Sequence, residues 1–188
     1  MRPTEIAAML NNFFETATQT VFKYKGSINK YIGDAVMAIF GAPVPMEDHP
    51  ANAVMAAVKM MEAIGKRKEE IPCNLRIGIN TGIVVAGNVG SKQRIEYTVL
   101  GDTVNVASRL NQYGQSNEVV IGEETYKRVV NAGLPLKFKD LGTAKLKGKE
   151  KEVKVYQVYL DHSKEPSFEQ AETIAAPINP LTEQKKTT

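Results

Sequence analysis

The chain has 188 residues, 43% of them hydrophobic, enough for one globular domain with a sizeable core. Its 24 Lys and Arg against 21 Asp and Glu leave a net charge of +3, too mild a balance to imply a nucleic-acid or membrane partner. The single cysteine, Cys73, excludes an internal disulfide. No apolar run approaches the roughly 20 residues of a bilayer span and no signal-peptide pattern opens the chain, so a soluble, cytoplasmic domain is the default.

Apolar Ile6, Met9, Leu10, Phe13, Ala17 and Val21 recur at three- and four-residue spacing, which predicts a helix from Thr4 to Lys25. Pro3 suits its first turn and Gly26 its C′ position. Ser27 to Ile32 and Ala35 to Phe40 read as a β-hairpin around Gly33-Asp34, where glycine permits the positive φ of a II′ turn. A helix from about Pro50 to Lys68 follows, with Val54, Ala57, Val58, Met61 and Ile64 on one side. Leu75, Ile77 and Ile79 alternate as a strand. A second strand runs from Ile83 to Val89, and a hairpin loop Gly90-Ser91-Lys92-Gln93 leads into Ile95 to Leu100. Asp102 or Thr103 can cap a helix reaching Tyr113, closed by Gly114. Glu118 to Ile121 is a short strand and Glu123 to Asn131 a short helix. Leu134 to Lys139 and Val153 to Leu160 finish as strands, joined by the basic loop Lys145 to Lys149. Helices alternating with paired strands suggest an α+β sandwich with helices over one sheet. The expected organisation is one domain over 1–160 and a polar, disordered tail over 161–188.

Two segments carry chemistry. The hairpin tip holds the carboxylate of Asp34, with Lys30 four residues before it; Asp is also a common turn residue for backbone reasons alone. In the second, Gly101 to Leu110, Asn105 and Arg109 lie four apart on one helix face, with Val104, Ala107 and Leu110 as a neighbouring buried stripe. Such a pair can hydrogen-bond the oxygens of a phosphate or sugar, or be a solvated polar face. Lys147 and Lys149 flank Gly148 in a loop that could hold a polyphosphate or merely solubilise. Thr98 is a good strand former. His49 and His162 show no metal-ligand spacing.

Three ordered segments, Lys30-Tyr31-Ile32-Gly33-Asp34, Leu75 to Gly82 and Tyr97 to Leu110, together resemble the catalytic domain of class III adenylate/guanylate cyclases, of the bacterial adenylate cyclase type, over about Thr4 to Leu160. The resemblance implies a ferredoxin-like α+β fold with an antiparallel-rich sheet, and a head-to-tail homodimer with active sites at the interface. It implies that Asp34 is a metal ligand, that Lys30 and Thr98 select the purine, that Asn105 orients the ribose, that Arg109 stabilises the transition state and that Lys147 contacts the triphosphate. The implied cofactors are two Mg²⁺ (or Mn²⁺), the substrate is ATP and the product cyclic AMP. Lys30 is a pure donor and suits adenine N1, an acceptor, whereas guanine presents a donor there. Thr98 can accept from the adenine amino group, although it can also donate. Threonine where many members carry aspartate is similar to the bacterial subgroup linked to bicarbonate stimulation.

The family's first metal aspartate lies on a strand before the first helix, and nothing like that segment precedes Thr4. The chain is therefore expected to lack its first strand, to be a weakly active or inactive fragment, and to derive from a protein with an upstream sensory domain. No nucleic acid and no direct membrane insertion are expected. Two rivals stay open: a non-catalytic cyclase-like module that dimerises or binds nucleotide, and a diguanylate cyclase, whose Gly-Gly-Asp/Glu-Glu-Phe tip differs from Gly33-Asp34-Ala35-Val36. A ferredoxin-like RNA binder lacks support, since the strands carry no paired stacking aromatics.

Overall fold

A computed structural model describes residues 2–145 and 152–164. Helix α1 (Pro3–Lys23) starts with proline in its first turn, where the Arg2 amide donates to the Glu5 carboxylate at 2.8 Å. Its end differs from expectation. Lys25, not Gly26, takes the left-handed position, with φ 59°. The amides of Lys25 and Gly26 donate to the carbonyls of Phe22 and Val21, both at 2.9 Å, a Schellman closure. Gly26 is needed for space: a Cβ there would sit 2.6 Å from the Phe40 ring.

Strands β1 (Ser27–Ile32) and β2 (Ala35–Ile39) form the expected antiparallel hairpin. Helix α2 (His49–Lys66) packs on α1, and β3 (Arg76–Ile79) follows. Strands β4 (Val85–Ser91) and β5 (Arg94–Leu100) form a second hairpin. Its loop is tighter than predicted: Ser91 pairs with Arg94, leaving only Lys92 and Gln93 between them. Helix α3 (Asp102–Tyr113), β6 (Glu118–Gly122), α4 (Glu123–Val129), β7 (Leu136–Ala144) and β8 (Val153–Leu160) complete the α+β order.

Among the described residues the main sheet runs β3-β6-β8-β7, and each hairpin is a separate two-stranded sheet. Only β3 with β6 is parallel; the other pairings are antiparallel. Strand β6 is buried on both faces. Val119 and Ile121 point at Val54 and Val58 of α2, and Val120 points oppositely at Val106 and Leu110 of α3. The helices therefore lie on both faces of this sheet. A third cluster joins Phe13, Ala17 and Val21 of α1 to Met60 and Ile64 of α2, with Val36 and Ala38 of β2 and Ile77 of β3 packed against it. The hairpin β1–β2 is thus held to the body by apolar packing.

The expected tail starts inside the fold. Asp161 is only 3% exposed; it accepts from Lys137 at 2.9 Å and from the Ser163 hydroxyl at 2.6 Å, ahead of a 3₁₀ turn over His162–Lys164. The remainder of that segment, 165–188, lies outside the described residues. No helix among the described residues is long and apolar enough to cross a membrane.

Candidate active site

The hairpin tip is a two-residue turn closed by Ile32 pairing with Ala35. Gly33 has φ +62° and Asp34 is not among the positive-φ residues, the II′ pattern expected from glycine at the first turn position. Asp34 is exposed and bonds to no other described residue.

Lower on the same hairpin, β1 carries a β-bulge that the sequence did not disclose. Ile28 pairs with Ala38 and Lys30 with Met37, so Asn29 is one residue extra. In a regular strand Ile28 and Lys30, two apart, would share a face. Here Ile28 joins the apolar cluster with α1, and the Tyr31 ring packs on Phe14 of α1 at 4.5 Å between centroids. Asn29 and Lys30 both reach strand β5 instead. Lys30 Nζ donates to Glu96 Oε2 at 3.2 Å, while Arg94 donates to Glu96 Oε1 at 2.7 Å. These two cations, Arg94 first and Lys30 second, hold the Glu96 carboxyl below its usual pKa. The Asn29 amide nitrogen donates to the Tyr97 carbonyl at 3.1 Å, and the Thr98 hydroxyl donates to Asn29 Oδ1 at 3.2 Å.

Lys30 and Thr98, far apart in sequence, therefore meet at one junction through Asn29. An open pocket of about 480 Å³ is lined there by Asn29, Lys30, Tyr31, Arg94, Glu96 and Tyr97. Thr98, 8% exposed, stands behind Asn29. Spacing did not mark Asn29, Arg94 or Glu96. The signal in the chain is the polar pair Asn29-Lys30 between Ile28 and Tyr31.

Helix α3 presents the second group. Its cap is Gly101 rather than Asp102 or Thr103, and the Thr103 hydroxyl instead donates to the Ile83 carbonyl at 2.8 Å. Asn80 donates to the Thr103 carbonyl at 3.2 Å and Asn111 to the Arg76 carbonyl at 2.7 Å, fixing the helix along β3. The helix lies so close that a Cβ on Gly78 would be 2.5 Å from the Ala107 carbonyl oxygen and 2.8 Å from Asn111 Cα. Of the expected stripe Leu110 is buried while Val104 and Ala107 are only half-buried, and Val106 is buried in their place.

Asn105 is exposed and Arg109 half-buried, four apart on one flank. Arg109 Nη1 is shut off from solvent and has no hydrogen-bond partner among the described residues. A charged donor left unpaired in this way is costly unless a ligand oxygen completes it. Lys147 lies outside the described residues.

Among the described residues no group of three or more His, Cys, Asp or Glu side chains is placed to hold a metal ion. Mg²⁺ needs no such cage: it is commonly held by one or two carboxylates, with water and phosphate oxygens filling the other positions. The exposed carboxylate of Asp34, without a partner among the described residues, has the chemistry such a site uses.

Residues 1–159 match the family model described as the adenylate and guanylate cyclase catalytic domain. The chain is 37% identical over 166 residues to "Adenylate cyclase 1" of Rhizobium meliloti (strain 1021), a match covering 83% of this chain and 24% of that relative. Among solved structures it is similar to the adenylyl cyclase CyaB from P. aeruginosa, at 30% identity and TM-score 0.77, over 84% of each chain. It is similar also to the guanylate cyclase domain of RhGC from Catenaria anguillulae in complex with GTP, at 27% identity and TM-score 0.77, over 85% of this chain and 86% of that one.

Proposed function

Because the chain belongs to the adenylate and guanylate cyclase catalytic-domain family, we propose that this domain serves the conversion of ATP to cyclic AMP and pyrophosphate, at sites shared between two copies of itself, the activity of this chain by itself being weak or absent. The ribose 3′-oxygen attacks the α-phosphorus of the same nucleotide and pyrophosphate leaves, so positioning and charge stabilisation supply most of the catalysis. Arg109 offers its guanidinium, with Nη1 shut off from solvent, to the negative charge that grows at phosphorus, a contact that strengthens in the transition state. Asn105, one turn before it, orients the ribose, and Lys147 binds the polyphosphate. Two Mg²⁺ (or Mn²⁺), when bound, would activate the attacking oxygen and neutralise the leaving group. Asp34 is one of the ligands for them.

The observation that carries the choice of ATP is the junction of β1 and β5, where Lys30 stands beside the Asn29–Thr98 bond. Its ammonium has three donors, and Glu96 takes one. The others suit adenine N1. The separate packing of the groups supports a shared site. The α3 helix packs on β3, β6 and β5, whereas the Asp34 hairpin packs on α1. On this reading Asp34 of one protomer serves Asn105 and Arg109 of its partner.

The test is cyclic nucleotide formation from ATP and from GTP. ATP should be preferred. Arg109→Ala should lower kcat by roughly 100- to 1,000-fold with little change in KM. Lys30→Glu with a compensating change at Thr98 should cost about 1–3 kcal/mol of the discrimination between the two bases. An unchanged ATP/GTP ratio in that double variant would remove the pair as base readers.

A further inference from the structure

We infer that Asn29 is a positioning residue for base selection, because it fixes the direction of the Thr98 hydroxyl and leaves the Thr98 oxygen able only to accept. The inference rests on the reading of Thr98 as a base contact and adds to it the group that decides how threonine behaves there.

Threonine alone is ambiguous, since its hydroxyl both donates and accepts. The contacts of Asn29 remove the ambiguity by polarity. The Tyr97 main-chain oxygen, 3.1 Å from Asn29, can only accept, so the amide nitrogen must face it. The other end of the same amide, Oδ1, then faces Thr98 at 3.2 Å and can only accept. Thr98 must donate its one proton to Asn29. What remains on its oxygen is lone pairs, and no other described side chain bonds to it.

An acceptor-only oxygen suits the exocyclic amino group of a 6-aminopurine and opposes the 6-oxo group of guanine or hypoxanthine, itself an acceptor. Thr98 is thereby made to act as a carboxylate would, without the charge. The bulge in β1 makes this geometry available. It turns Asn29 and Lys30 to the same side, so one strand supplies both the donor for N1 and the group that orients the acceptor for the amino group.

The experiment is equilibrium binding of ATP and ITP, read by displacement of a fluorescent ATP analogue, so that turnover is not required. The two nucleotides differ in the hydrogen-bond polarity of the 6-position and N1. The Lys30 contribution is common to the proteins compared, so a change in the ATP/ITP ratio on altering Asn29 reports the 6-position. Asn29→Ala frees the Thr98 proton and should lower the ratio about three- to tenfold. Asn29→Asp keeps an acceptor for that proton and should hold the ratio near that of the unchanged protein. In a Thr98→Val background, Asn29→Ala should have no further effect on the ratio, a dependence that a merely structural role would not produce. If the unchanged protein prefers ATP and Thr98→Val lowers that preference while Asn29→Ala does not, the inference is overturned and the base-reader assignment survives. If Asn29→Ala still acts in the Thr98→Val background, the inference is overturned as well. If the unchanged protein binds both nucleotides equally, or Thr98→Val leaves the ratio unmoved, the base-reader assignment fails and this inference falls with it.

Discussion

Replacing Gly78 by alanine adds one methyl group at the point where β3 meets α3, the helix that carries Asn105 and Arg109. The added carbon would lie 2.5 Å from the Ala107 carbonyl oxygen, and its other near neighbours are the main-chain atoms of Asn111. Ordinary contact begins near 3.4 Å, so the helix must retreat by about 1 Å. No side-chain rotation can relieve the overlap, because the obstructing atoms are backbone. Overpacking of this kind costs about 1–3 kcal/mol. In a domain of this size each kcal/mol moves Tm by about 2–4 °C. The functional effect should be larger than the stability effect, since a displacement of about 1 Å at a catalytic group can cost on the order of 100-fold in rate. Thermal unfolding and cyclic nucleotide formation, measured on the same protein, check both. Gly65→Ala is the contrast: its Cβ meets nothing within 4 Å on an exposed stretch of α2, and the same chemical change should there raise stability by about 1 kcal/mol. A Gly78→Ala protein with unchanged Tm and unchanged turnover would refute the close approach as the device that positions α3.

Two further outcomes are expected. In the context of the complete catalytic domain, Asp34→Ala and Arg109→Ala chains, each inactive alone, should regain about a quarter of the unchanged activity when mixed in equal amounts, because half of the dimers then carry one intact site of two; a mixture as inactive as either parent rejects the shared site. The Asp161 carboxyl is pulled from 3.8 to about 2 by the Ser163 hydroxyl and then Lys137, so the stability it contributes is present above pH 3.8 and lost as pH falls toward 2. Asp161→Asn should lower Tm at pH 7, with the gap to the unchanged protein closing between pH 4 and 2; a gap constant over that range sinks the assignment.

The helices were legible because their signals are local. The spacing of Phe13, Ala17 and Val21 survives intact as the buried face of α1, and Gly33-Asp34 declared its turn. What failed was set by distant partners. Gly26 looks like a helix-ending glycine, yet it is glycine for the sake of Phe40, and Lys25 takes the left-handed turn. Asp161 opens a polar stretch and reads as tail until Lys137, from another strand, covers it. The parallel pairing of β3 with β6 has no signature in four alternating residues. For the proposed site, Lys30, Thr98, Asn105 and Arg109 were named through ordered motifs. Asn29, Arg94 and Glu96 were not, because their roles exist only once the two hairpins lie side by side.

The extra residue in β1 makes the length of this strand, as much as its composition, a stored instruction. Every side chain from Ser27 to Ile28 keeps one parity and every one from Lys30 to Ile32 keeps the other, with Asn29 as the place where the count changes. Deleting Asn29 would leave Ile28 opposite Ala38 and Lys30 opposite Met37 in a regular ladder, so both would keep their faces. What would be lost is the pair of bonds from Asn29 to Tyr97 and Thr98. The strand thus carries one residue more than its pairing requires, and that surplus residue lines the pocket beside Lys30.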